Sequence, residues 1–439
     1  MTQTVLNLKD WLLDQSSGDG GNTIFSDELR SKAVDTIKAG KFPTRKDEEW
    51  RYTPVKELLA KSVSTESLTE DLDTAIENAK QALPEAWHLV FIDGSLSPDH
   101  SDNLKELKGL SFSQITDPKA TDMVKLESRV SAASWSDDNV FKDLNIGLSR
   151  TASQLLVAKD SVISHPVHLL HIRVNSGSVS VATPLVFIDL EANSKITIIE
   201  QYLTLPEQSN FNFPLTFMQL GQGSKLVHYK LGMESSRTEH ISNTHAQVAS
   251  DASLTAHQYL LGSNLSRTNT EVILAEPGAE VVLRGIYLGE KKQHLDIRTY
   301  IDHAAPHCVS NQHYRGILND QARGVFNGLV LVQRDAQHTD AQQSNKNLLL
   351  SDEARVDSKP QLEIFADDVK CAHGATVGQL DQDALFYLQS RAISKNDAKL
   401  MLTKAFTAEV TADIEIESLR SWVEDAIINR LNKLPADHV

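Results

Sequence analysis

The chain has 439 residues, with 43 Lys and Arg against 59 Asp and Glu, for a formal net charge of −16. That acidity argues against a phosphate backbone or an anionic membrane surface as the main partner, so nucleic acid is not expected. No apolar run approaches the roughly 18 residues of a membrane-spanning helix, and two cysteines, Cys308 and Cys371, are too few for a disulfide framework or a four-thiolate metal site held within one chain.

The opening residues, MTQTVLNLKDWLLDQSS, lack the cationic and long apolar stretches of an export signal, and a cytoplasmic location is expected. Residues 1–87 read as a helical domain. Trp11, Leu12 and Leu13, then Leu29, Ala33 and Ile37, carry helical spacing, and Gly40 falls where a helix would stop. Phe42 to Val55, bounded by Pro43 and Pro54, predicts an extended connector. A second helical pattern over 66–83 uses Leu68, Leu72, Ile76, Ala79 and Leu83. From His88 the run HLVFIDG opens a connecting α/β segment, 88–149.

Residues 150–372 are almost entirely short β runs, among them HLLHIRV, LVFIDL, KITIIEQYL and EVVLRGIYL. A small or polar turn phrase precedes many of them: EANSK, GQGSK, SDAS, EPGAE, APHC, NDQAR and SDEAR. Aligning Lys195, Lys225, Ser253, Glu280, Cys308, Arg323 and Arg355 gives spacings of 30, 28, 27, 28, 15 and 32. A period near 28 with one half-step predicts a stack of β-coils, because propeller blades repeat at about 40 to 50 residues.

From 373 the chain is predicted helical. Asp381 and Ser394 stand at N-cap positions, and Leu419, Trp422, Val423, Ala426, Ile427, Leu431 and Leu434 form an amphipathic stripe before Pro435. Such a stripe packs on its own domain or docks a partner.

No phosphate-binding loop, dinucleotide fingerprint, nucleophile elbow or HExxH motif occurs. Thirteen of the 16 histidines lie between 150 and 375. His165 and His171 would face one side of a strand and His168 the other, so one metal cannot easily use all three. Pro306 breaks the helical spacing of His303 and His307. Cys371-Ala-His373 differs, since thiolate and imidazole suit iron, zinc or Cu(I). Two ligands still cannot close a tetrahedral site, and a buried structural Cys beside a structural His fits the same residues.

Several of these segments resemble one family. Pro360-Gln-Leu-Glu-Ile, Asp367-Asp-Val-Lys-Cys371-Ala-His373-Gly-Ala-Thr376-Val-Gly378, Leu385-Phe-Tyr-Leu, Pro43 to Pro54 and Gly324-Val-Phe-Asn-Gly328 resemble the SufB/SufD family of iron–sulfur assembly scaffolds, and its SufD branch more than its SufB branch. One departure is Ala392, where the family often has Gly. The resemblance implies a mainly β chain whose core, 150–372, is a right-handed parallel β-helix between amino-terminal and carboxy-terminal helical domains. It implies a scaffold rather than an enzyme, paired with a SufB-like subunit through the β-helix ends. His373, and second to it Cys371, would sit at that interface, with His373 ligating a transient iron–sulfur cluster shared with the partner and no cofactor held tightly by this chain alone. The carboxy-terminal domain, 373–439, would dock a SufC-like ABC ATPase, with Phe406, Leu419, Trp422, Val423 and Ile427 as candidate contacts. Self-pairing of the isolated chain is plausible on the same surface. Two other readings are a β-helix polysaccharide enzyme, which would need repeated acidic residues and an export signal, and a SufB-like main scaffold, which should carry more thiols.

Overall fold

A computed structural model describes residues 6–17, 23–63, 72–133, 135–136, 139–174, 181–205 and 210–432. Leu68, Leu434 and Pro435 lie outside them. The body is a parallel β-solenoid of about 7 turns whose strands alternate between two sheets. The first sheet runs from Trp87–Ile92 through Val167–Arg173, Lys195–Thr204, Lys225–Gly232, Ser253–Leu260, Glu280–Gly289, Val309–Leu318 and Thr339–Leu349 to Val369–Gly378. The second ends on Thr238–Val248, Leu265–Leu274, His294–His303, Arg323–Val332 and Arg355–Ile364.

The aligned positions are neighbours in space. Lys195 pairs with Lys225, Lys225 with Ser253 and Ser253 with Glu280, while Arg323 pairs with Arg355 in the other sheet. The half-step of 15 is therefore the crossing between sheets. Cys308 is one residue out of that register, because Glu280 pairs with Val309.

The turn phrase has a conformational cause. Asn193, Gly223, Asp251, Gly278 and His307 have positive φ, each two residues before a strand of the first sheet. Gly, Asn and Asp tolerate that left-handed corner best. Between corner and strand comes a small buried residue: Ser194, Ser224, Ala252, Ala279 and, in the same place, Cys308. Cys308 thus fills a recurring core position.

The amino-terminal segment covers the outer face of the second sheet. Helices Leu8–Ser17 and Asp27–Lys38 form as the spacing predicts, and Val140–Leu148 packs against Asp27–Lys38. That last helix and Thr121–Ala132 are the helical part of the expected α/β segment, with Met123, Leu126 and Val130 on one face of the latter. The connector makes one short 3-10 turn, Glu48–Trp50, and lies as a strap across successive coils. The Trp50 ring sits 3.7 Å from the Arg267 guanidinium, Glu49 reaches Arg298 at 2.5 Å, Asn327 donates to Glu49 at 3.0 Å, and Lys359 on the final coil pairs with Glu48. Charge complementarity along a polar face, together with one buried aromatic, explains why this polar phrase is ordered.

Two boundaries differ from the sequence reading. The boundary expected at 87/88 cuts the strand Trp87–Ile92, which belongs to the solenoid and pairs in parallel with Val167–Arg173. The boundary at 372/373 falls inside the last strand, Val369–Gly378, and helices begin at Gln382.

Candidate functional site

The final coil is uncovered. Among the described residues Arg355–Ile364 and Val369–Gly378 are the edge strands of their sheets, so each has one row of backbone groups with no strand beyond it. Apolar side chains stand exposed beside that edge: Ile364 at 39%, Phe365 at 60% and Val377 at 50%.

Cys371 and His373 both lie in Val369–Gly378, two residues apart and so on one face of the strand. Pairing shows which face. The Cys371 position continues a column of Ile196, Leu226, Leu254, Val281, Ser310 and Ala341, most of which belong to the solenoid core. His373 continues the column Ile198, His228, Ala256, Leu283, Gln312 and Gln343. Both residues occupy inward positions that a further coil would cover. Cys371 is half-buried against the core, and burial pushes its thiol up from the ordinary range. His373 is exposed. Among the described residues no group of three or more His, Cys, Asp or Glu is placed to hold a metal ion.

The remaining histidines do not converge. His165 is exposed and contacts the Glu85 carbonyl. His168 lies between His88 and Gln201 at 3.1 and 2.9 Å, and His171 stacks on Phe91 and Tyr202. His303 shares a hydrogen bond with Ser310 at 2.8 Å, while His307 is a corner residue stacked on His338. Cys308 is buried, its Sγ 3.4 Å from the Glu276 carbonyl oxygen, and burial raises its thiol pKa.

A polar stretch inside the solenoid carries no motif. Glu200 is fully buried and meets His228 at 2.9 Å and Lys230 at 3.8 Å. Burial pushes its carboxyl up, but Lys230 and then His228 more than offset this and hold it well below the usual carboxylate range. On the facing sheet Thr216, Thr244, Thr270 and Thr299 stack in successive coils. The available signal was charge and amide at strand positions that alternation would make apolar.

Beyond the solenoid come helices Gln382–Ser390, Lys395–Thr411 and Glu417–Asn432, the first two capped by Asp381 and Ser394. The carboxy-terminal stripe turns toward its own chain. Leu419, Val423 and Ile427 are buried against Tyr229, Leu231, Tyr259 and Ile286 of the first sheet's outer face. Phe406 and Trp422 are partly buried in the same cluster, and Phe406 also faces Arg315. Three of the five candidate docking residues are therefore covered intramolecularly, and the large apolar side chains left outward on these helices are Phe386, Tyr387 and Met401. Ala392, noted above as a departure, has φ +64°, a left-handed conformation that Gly adopts more readily than Ala.

These features define a class: a helix-flanked parallel β-solenoid with one uncovered end that presents a thiol and an imidazole. Residues 172–406 match the family described as SUF system FeS cluster assembly, SufBD core domain. The chain is 34% identical over 392 residues to the iron–sulfur cluster assembly protein SufD of Escherichia coli, covering 89% of each chain. It is 30% identical to a SufBD family protein of Synechocystis, over 91% of this chain and 89% of that one. A chloroplastic protein of Arabidopsis thaliana matches at 27%, over 96% and 90%. The chain belongs to the SufBD family of iron–sulfur cluster assembly proteins, as a SufD-like member.

Proposed function

We propose that this chain is a non-catalytic cytoplasmic scaffold subunit whose open solenoid end pairs with a SufB-like subunit, and that His373 acts there on a nascent iron–sulfur cluster. The cluster is cargo, passed on rather than kept. The observation that carries this reading is the final coil, where Cys371 and His373 occupy core columns with no strand above them among the described residues. A partner that supplies thiolates would complete a coordination set that one imidazole cannot close. His373 leads because an imidazole binds metal in its neutral form, whereas the Cys371 thiol, with its pKa raised by burial, must first lose a proton. Unpaired parallel edges with exposed Ile364, Phe365 and Val377 suit a second solenoid laid end to end, and a second copy of this chain is the occupant when the partner is missing.

His373→Ala should leave the assembled complex intact and abolish cluster formation on it, read as iron and acid-labile sulfide bound after reconstitution. Unchanged loading overturns the assignment. The carboxy-terminal helices are the docking element for a SufC-like ATPase. Truncation after Ala392 should remove that ATPase from the purified complex, and its retention would move docking elsewhere.

A further inference from the structure

We infer that Gln343 is a positioning residue for His373: once the open end is covered, its Oε1 accepts a hydrogen bond from the imidazole N–H and leaves the other ring nitrogen free for the cluster. The inference rests on the reading of His373 proposed above.

The interior of the solenoid supplies the argument as a ladder that breaks at one coil. Four polar side chains that the first sheet points inward find hydroxyl partners in the threonine ladder of the second sheet. Thr216 donates to Glu200 at 3.3 Å, Lys230 donates to Thr244 at 3.3 Å, Gln258 donates to Thr270 at 2.6 Å and Thr299 donates to Gln312 at 2.6 Å. One coil further on, the residue paired with Thr299 is Gly328, which has no hydroxyl. Gln343 faces that gap. It is 4% exposed, and both its Oε1 and its Nε2 are without a hydrogen-bond partner. Gly328 makes room for the amide, since a Cβ there would come within 2.2 Å of Gln343 Nε2.

A buried amide with neither atom satisfied keeps the desolvation penalty of both groups uncompensated. The next position in its column is His373, its in-register pair. Paired strands lie about 4.8 Å apart, so a side-chain rotation brings the two groups together. In the uncovered chain water solvates His373. Covering the end removes that water and leaves the Gln343 carbonyl oxygen as the acceptor in reach. An acceptor behind an imidazole fixes its tautomer and ring direction, the usual arrangement for a metal-binding histidine.

The test compares Gln343→Leu with Gln343→Glu in the reconstituted complex, reading cluster yield alongside thermal stability of the full-length chain. Burying a carboxylate is costlier than burying Leu, so a packing role ranks Leu at or above Glu in both readouts. Positioning separates them: the Leu variant should be as stable as the parent yet lose at least five-fold in cluster yield, whereas the less stable Glu variant, which keeps an acceptor, should stay within two-fold. Equal yields from the Leu variant and the parent, with His373→Ala inactive, overturn the role of Gln343 and leave that of His373 standing. Full yield from His373→Ala overturns both. If the Leu variant fails to assemble, the yield of the Glu variant decides, and a loss equal to that of His373→Ala overturns the inference.

Discussion

Val167–Arg173 and Val369–Gly378 are equivalent strands of one sheet, near its two ends, and they could hardly differ more in surroundings. All seven residues of the first are buried. In the second only Val369 and Cys371 are even half-buried. The difference lies in what covers them, not in strand geometry: Trp87–Ile92 pairs against the first, and among the described residues no strand pairs against the outer edge of the second. A solenoid needs a cap at each end to shield its core columns. Among the described residues this one is capped at one end, and its candidate functional residues sit at the other.

That contrast can be broken most severely with acid. Burial pushes His168 down to about 3, and His171, His257, His294 and His303 down to about 4, all within covered coils. An unfolded imidazole titrates near 6.5, so between about pH 6.5 and 4 the unfolded chain binds protons that the folded one refuses. Stability should be level above pH 7 and fall as pH drops, by about 1.4 kcal/mol per pH unit for each such group. Melting temperature followed from pH 8 to 5 checks this, and a flat profile would mean that the imidazoles reach water. Next in size is a matched pair of truncations. Leu254→Ala, in the column that ends at Cys371, should cost about 2–5 kcal/mol by chemical denaturation. Val377→Ala, on the open strand, should cost less than about 0.5 kcal/mol in the isolated chain. Equal costs would show that the open coil is covered in solution, as self-pairing requires. The one change of opposite sign belongs just past the open end, where Ala392→Gly should stabilise by about 1 kcal/mol by chemical denaturation, relieving a positive φ.

The coil period was legible because a backbone requirement wrote itself into composition. A left-handed corner wants Gly, Asn or Asp, so Asn193, Gly223, Asp251 and Gly278 punctuate the chain at the spacing of the fold. His307 holds the same corner with a less typical residue, which is why Cys308 was aligned one place off. Cys371 and His373 were legible as a motif, but their inward direction was not, since direction depends on pairing partners some 30 residues away. The carboxy-terminal stripe shows the limit of periodicity. An apolar helix face looks the same whether it meets its own sheet or a partner, and Leu419, Val423 and Ile427 meet their own. Gln343 carried no signal, since its interest arises only from the missing hydroxyl at Gly328.

The strap has a consequence in time. Within the solenoid each coil touches neighbours made moments before or after it, so coils can form one by one as the chain lengthens. The strap reverses this economy of distance. Trp50 and its neighbours leave the ribosome early, yet Arg267 is 218 positions beyond the Glu49 carbonyl it reaches, and Lys359 is 311 beyond Glu48. A chain cut short before the final coil keeps most of its core but cannot fasten the last clasp, so the fastened strap records that synthesis has reached the strand next to the working end.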